Sequence, residues 1–398
     1  MGRMAMGDKT MKLFTAIYDD ARLLGPFLRH YDRYGVSEFF IAASPSFVST
    51  VKTFMSDYPI TLVEEHDAAT RFLSSDPIEA MRKIYHHDDE WAVIVDLDEF
   101  IEVTPNINHC LSIAESEKAN VISAVMYDRF SVDGKPVDVG QESDLPSLFP
   151  IKANFIYHVQ RGCDFKGVLV KGRLKAGGGF HHWYEGQKRS SEILEISHYR
   201  WLTGAVDRYK ERYAALNAVG TSWAIEYKHI IDHYEQHGRF AWEEFGGAPV
   251  TCGDLTTKTQ EKMFYGLYAA AQLKEELGLP EQEVIGAYLE AAGAMPTRAE
   301  ALHSASSYCR SKGRYEEGFQ LAKQGLAIGR PLPWTYDSLL DELAFNGYWS
   351  GHYSESVDAC EKLLASTARS PDERERIAAN ARLALEKLGH GPDTGSRE

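Results

Sequence analysis

The sequence predicts an α/β domain with a mostly parallel sheet, followed in the chain by an all-α region. Three observations carry this. Strand and helix signals alternate through the first hundred residues, nearly every segment after Trp201 has helical spacing, and the C-terminal part repeats itself at an offset of 38, Gly313 onto Gly351. At 398 residues the chain is too long for one ordinary core, so two or three domains are expected.

The alternation opens with the strand MKLFTAIY, followed by Asp19 and Asp20. ARLLGPFLRHYDRYG has helical apolar spacing and stops at Gly35. SEFFIAAS is a second strand, PSFVSTVKTFMSDY a second helix and ITLVEEHD a third strand. DPIEAMRKIYHHD is a third helix, with Asp76 as cap and Pro77 as first residue. WAVIVDLDEF is the fourth strand. Such alternation implies βαβ units, whose ligands gather at the carboxyl ends of the strands. Asp19, Asp67, Asp96 and Asp98 all fall at those ends.

Between Asn120 and Tyr199 shorter strands, NVISAVMYDRF, FKGVLVK and SEILEISHYR, are separated by Gly- and Pro-rich stretches such as KAGGGFHHWYEG. These read as added, partly antiparallel strands and loops that complete a site. The helical remainder breaks at FGGAPVTCGDLTTKT and AGAMPT. YCRSKGRYEEGFQLAKQGLA and YWSGHYSESVDACEKLLA superpose Gly313 on Gly351, Tyr315 on Tyr353, Glu317 on Glu355 and Leu326 on Leu364. A Gly-x-Tyr turn between two amphipathic helices is the unit of tetratricopeptide-type repeats, and ERIAANARLALEKLG supplies a final helix. The expected divisions are 11–205 for the α/β domain, 206–296 for a helical connector, 297–390 for the repeats and 391–398 for a disordered tail.

A formal charge of −15, from 58 acidic and 43 basic residues, argues against a nucleic-acid-binding surface, while leaving small anionic ligands open. Five scattered cysteines with no CxxC pair fit buried thiols in a reducing compartment. No window reaches the ~18 to 20 apolar residues of a membrane span. The opening MGRMAMGDKT has no apolar leader core, and Met11 opens the fold. A cytoplasmic protein is expected, with peripheral contact at the inner membrane face if its substrate is lipid-linked.

The chemistry concentrates at DLDEF. On one strand, Asp96 and Asp98 share a face with alpha carbons about 6–7 Å apart. Two carboxylates so placed repel unless a hard cation, Mg2+ or Mn2+, sits with them and keeps positions open for phosphate oxygens. The alternative is an acidic strand-to-loop turn. His198, ending a later strand, is the further ligand candidate.

YDDARLLGPFLRHYDRYGVSEFFI, WAVIVDLDEFIEV and ISHYRWLTGAVDRYKERY resemble, in that order, the segments of family-2-like and family-92-like glycosyltransferases. PTRAEALHSASSYCRSKGRYEEGFQLAKQGLAI is similar to the helical tail of bacterial members with tetratricopeptide-like repeats. The resemblance implies a GT-A fold, Rossmann-like, that binds a nucleotide-diphosphate sugar, a UDP-sugar first of all, and transfers its sugar with inversion. Asp96, Asp98 and His198 would hold the metal. Ala16, Tyr18, Asp19, Asp20, Asp67, Asp96 and Lys166 would serve the donor, and His30 matches a helix histidine expected to pack or cap. The chain departs from the family at Asp19, where the family has Asn, and at AASPSF, where the family often has Asp-Asn.

An inverting transferase needs a general base for the acceptor hydroxyl. Asp164 is the first candidate and Glu185 a weaker one; Asp128 and Asp133 are expected to be solvated loop charges. His181, His182 and Trp183, in a glycine-hinged loop, are candidates to meet the acceptor, which could be a polysaccharide, a lipid-linked sugar or a protein. The repeats either cover apolar surface of the chain itself or grip a protein partner. Two rival readings remain open: a sugar-nucleotide hydrolase or nucleotidyltransferase, and a non-catalytic repeat scaffold with a degenerate front domain.

Overall fold

The structure is a computed structural model that describes residues 11–64, 77–103, 106–177, 181, 183–184, 186–221, 223–250, 260–329, 331–365 and 371–389. These residues form two compact units, 11–219 with 223–250 and 220–221 with 260–389. The division near residue 257 falls inside the segment expected as a connector, 206–296.

In the first unit, β1 (Met11–Ile17) is buried on both faces, as a central strand with parallel neighbours must be. It pairs in parallel with β2 (Val36–Ala43), and β2 with β3 (Ile60–Glu64). Between β1 and β2, α1 (Leu24–Arg33) buries Leu24, Phe27, Leu28 and Tyr31, the i, i+3, i+4, i+7 stripe of an amphipathic helix. It ends at Gly35, whose φ of +86° suits a residue without Cβ. α2 (Pro45–Lys52) and α3 (Pro77–Tyr85) each start on proline, whose missing N–H is no loss in a first helical turn.

The chain then leaves β3 and returns to the other side of β1 as β4 (Trp91–Ile94), again parallel. After β5 (Glu99–Glu102) and α4 (Ile107–Ser116) come β6 (Val121–Phe130), α5 (Leu145–Leu148) and β7 (Ile151–Ala153). β8 (Phe165–Lys171) lies antiparallel between β4 and β6, so the sheet is mixed. β9 (Lys175–Ala176) and β10 (Trp183–Tyr184) form a separate ribbon. β11 (Arg189–His198) runs parallel to β6 and antiparallel to β5. α6 (Ala205–Ala218), α7 (Ala224–His237) and β12 (Ala248–Pro249) complete the unit, β12 pairing with β7 at the sheet edge. α6 and α7 therefore belong with the sheet. Trp201 anchors this end: it is 1% exposed, stacked on Phe130 and 3.9 Å from the Phe240 ring centroid.

The second unit is all-helical and tetratricopeptide-like: α8 (Gln260–Glu276), α9 (Glu281–Ala294), α10 (Glu300–Ser311), α11 (Tyr315–Ala327), α12 (Pro333–Ser350), α13 (Tyr353–Ala365) and α14 (Pro371–Gly389). The 38-residue offset is visible in its hydrogen bonds. Arg314 N donates to Cys309 O at 2.9 Å, and His352 N to Gly347 O at 2.7 Å, closing equivalent turns at Gly313 and Gly351, both left-handed. Ser306 Oγ donates to Gly318 O at 2.7 Å. At the equivalent pair the donor has changed helix, and Ser356 Oγ donates to Ala344 O at 2.7 Å. A small residue at each crossing lets the two helices approach. The hairpin α8–α9 precedes the two repeats that are legible in the sequence. No disulfide links Cys110, Cys163, Cys309 or Cys360.

Candidate functional site

Strand order β4-β1-β2-β3 places a topological switch between β1 and β4: the chain builds away from β1 on one side, then crosses to the other. The crevice outside the carboxyl ends of two such strands is where open α/β sheets bind ligands. Here those ends carry Tyr18, Asp19 and Asp20 after β1, and Asp96 and Asp98 after β4.

Asp96 and Asp98 do not share a strand face, which corrects the expectation of a continuous DLDEF strand. β4 stops at Ile94 and the chain turns, Glu99 N donating to Asp96 O at 3.1 Å while Glu99 Oε2 accepts from Asp96 N at 2.9 Å. The reason is Glu99. Its carboxylate is 4% exposed and meets Lys166 Nζ at 2.7 Å; the same ammonium reaches Asp96 at 2.8 Å. Lys166 is 1% exposed. Burial opposes its charge, but the two carboxylates outweigh it and raise its pKa. Lys166 thus braces the turn.

The turn leaves Asp98 facing the end of β11. Asp98 Oδ2 lies 3.2 Å from His198 Nε2. Strand register explains the position: His198 sits between Glu99 of β5 and Asp128 of β6, and Tyr199 N donates to Asp98 O at 2.8 Å. The other imidazole nitrogen, Nδ1, is 3.4 Å from Asp128 Oδ1, and Arg200 clamps Asp128 with bonds of 2.6 and 3.2 Å. Asp128 has no exposed surface. It is a buried ion-pair partner, not the loop charge expected, because β6 runs ten residues to Phe130 and carries it inward. Burial disfavours charge on His198, yet Asp98 and Asp128 push its pKa up to about 9. Burial likewise works against the Asp98 carboxylate, while His198 and then Arg200 hold it well below the usual range.

The acids after β1 are met by Arg22, just before α1, and by two arginines of α6. Asp19 pairs with Arg212 at 3.3 Å; Asp20 pairs with Arg22 at 2.6 Å and with Arg208 at 3.3 Å. Tyr18, Asp19, Ser46, Phe47, Arg208, Glu211 and Arg212 line a cavity of about 400 Å³, within the size range of small-molecule sites. Ala16 lies in β1 itself, opposite Ala42.

A hard divalent cation with ligands at about 2.1 Å has neighbouring ligand atoms about 3 Å apart. Asp98 Oδ2 and His198 Nε2, 3.2 Å apart as an ion pair, have the spacing of two such positions once a cation replaces the imidazolium proton, and they leave the remainder to phosphate oxygens and water. Asp96 is turned away onto Lys166.

Other residues named from the sequence are dispersed. Asp164 has no exposed surface and accepts from Asn154 Nδ2 at 2.6 Å, so in this conformation it offers nothing to an acceptor. His181 is tied down rather than hinged, Nδ1 meeting Phe165 O at 2.8 Å. Trp183 lies in the β9–β10 ribbon, its backbone paired with Ala176. His30 packs, Nε2 against Ile101 O at 2.9 Å among Tyr31, Tyr34 and Phe100. Asp133 closes a loop turn with Ser131 and Lys135. Asp67, the cap Asp76, His182, Glu185 and the tail 391–398 lie outside the described residues. Sequence reasoning gave Asp128, Arg200, Arg208 and Arg212 no ligand or site role. The signal for the last two was present, since i, i+4 spacing in DRYKER puts both guanidinium groups on one helix face.

Fold and site together define a mixed-sheet α/β unit with a carboxylate–imidazole pair at its switch point, in one chain with a tetratricopeptide-like unit. No family model matches the chain, and no curated protein does. Among solved structures it is similar to the inositol-1-phosphate CTP transferase from T. maritima, at 10% identity over 54% of this chain and 98% of that one, TM-score 0.29. A putative glucose-1-phosphate thymidylyltransferase from Bacillus anthracis matches at 11% identity over 50% and 93%, TM-score 0.28. The Sgt2 TPR domain from Aspergillus fumigatus matches at 14% over 34% and 87%, TM-score 0.27. Likenesses at these scores carry no argument about activity, which rests on the site itself.

Proposed function

We propose that the first unit is a GT-A-type glycosyltransferase, moving a sugar from a nucleotide-diphosphate sugar to a hydroxyl of a glycan, a lipid-linked sugar or a protein. The observation that carries this reading is the Asp98–His198 pair, 3.2 Å apart at the switch point of a parallel β-α array. Asp98 and His198 would hold Mn2+ or Mg2+, with Asp128 and Arg200 fixing the imidazole from behind. A cation there would neutralise the charge that develops on the departing diphosphate. Arg208 and Arg212 border the cavity where an anionic donor would lie, and Tyr18 and Phe47 offer aromatic surface to its base. The resemblance to inverting transferases supports inversion, with a general base that accepts the acceptor's proton.

The test is calorimetric titration with UDP in the presence and absence of manganese, followed by a panel of sugar nucleotides assayed for metal-dependent turnover. Manganese should be required for tight binding, and Asp98→Ala should weaken it by about tenfold or more. An Asp98→Ala protein that binds and turns over donor as well as the parent does would overturn the assignment. Metal-independent binding followed by nucleotide exchange would favour the nucleotidyltransferase reading, and no nucleotide binding at all the scaffold reading.

A further inference from the structure

We propose that His233, His237 and Glu244 form a second divalent-metal site, of the zinc type. It is independent of the transferase reading and chemically distinct from the Asp98–His198 pair. His233 and His237 stand one turn apart at the end of α7, so both imidazoles project from one helix face. Gly238, with φ +65°, ends the helix and lets the chain fold back into a 3-10 turn, Trp242–Phe245, that brings Glu244 over them. One ligand atom from each residue lies within 4.8 Å of the other two, with His237 Nδ1 3.5 Å from Glu244 Oε1. Tetrahedral zinc, with bonds near 2.1 Å, spaces its ligand atoms about 3.4 Å apart, so the His237–Glu244 pair already has this spacing and the wider separations would have to close by up to about 1.4 Å.

The surroundings suit an ion. The rings of Phe155, Phe245 and Phe240 lie 5.4, 5.8 and 6.5 Å from that of His233, giving the site an apolar flank. Arg239, the nearby cation, is occupied by Glu243 at 3.0 Å. His233 already presents an unprotonated nitrogen, because Nε2 accepts from Ala241 N at 3.1 Å. An entering ion would have to displace that hydrogen bond, at the cost of leaving the N–H of Ala241, 2% exposed, without this acceptor. Two imidazoles and a carboxylate prefer zinc to magnesium, and three protein ligands leave one position for water. Because the 3-10 turn leads directly into β12 at the sheet edge, a bound ion would staple the end of α7 to the segment that closes the sheet.

The experiment uses the full chain, stripped of metal, in an Asp98→Ala background that silences the other site. Cobalt(II) is titrated as a spectroscopic probe and zinc by calorimetry. One ion per chain is expected, with the intense visible absorption of four-coordinate cobalt and a zinc-dependent rise in Tm. Glu244→Gln, at a side chain 57% exposed, and His237→Gln, at one 21% exposed, should each weaken binding roughly tenfold or more without unfolding the apo protein. Absence of cobalt binding, six-coordinate spectra, or affinities that both variants leave unchanged would each overturn the proposal.

Discussion

Replacing Lys166 by methionine isolates what braces the acidic turn. Methionine keeps most of the apolar stem and removes the ammonium that meets Glu99 at 2.7 and 2.9 Å and Asp96 at 2.8 Å. Asp96 is half exposed and can recover water; Glu99, at 4%, cannot. Breaking a buried pair by removing one partner costs about 3–5 kcal/mol, because the remaining charge is left uncompensated. At about 2–4 °C per kcal/mol for a unit of this size, Tm should fall by on the order of 10 °C.

The sign of the pH dependence follows from the same geometry. Burial raises the Glu99 pKa above its unfolded value even beside Lys166, and removing the ammonium that opposes the shift raises it further, so over a wider pH range the folded variant holds a proton that the unfolded state gives up. The deficit relative to wild type should therefore be largest at pH 8 and shrink toward pH 5. Urea denaturation of wild type, Lys166→Met, Glu99→Gln and the double variant forms a cycle, and the double variant should recover at least half the loss. A deficit below about 1 kcal/mol, or one flat between pH 5 and 8, would refute the account of the turn.

Three further outcomes are expected. His86 is buried and His30 half-buried, both with pKa values lowered to about 4 by desolvation, and at His86 also by Arg82. Their folded values lie below the unfolded one, so their contribution is complete above pH ~6.5 and is lost as pH falls toward 4; the urea midpoint should drop over that window, less steeply in His86→Asn. Gly134→Ala should cost at least about 2 kcal/mol in urea denaturation, because φ is +70° and a Cβ would stand 2.2 Å from Phe240 O. In the second unit, Asn346 is fully buried and donates to Ser306 Oγ and Glu342 Oε2, each at 3.2 Å. Asn346→Ala should lower stability by about 1–3 kcal/mol, read as a shift in the unfolding midpoint.

Local chemistry made much of this protein legible. Apolar runs place β1 through β4, the period-3.6 pattern their helices, and the Gly-x-Tyr turns the repeats, because each signal lies within one element. DLDEF and His198 stood out for the same reason: an acidic cluster after an apolar run, and a histidine that ends a strand. Hidden from the sequence was the meeting of segments far apart in the chain. Lys166, seventy residues beyond Asp96, turns that carboxylate away from Asp98. Asp128 reads as a loop charge until β6 is seen to run inward beside β11. HYEQH displays its helical spacing openly, but only the fold-back at Gly238 supplies Glu244. Periodicity and turn residues determined the elements of both units, since those depend on neighbours a few residues away. Which charges share a buried contact, and hence which carboxylate remains free to meet His198, was decided by sheet register and burial, which exist only in the folded chain.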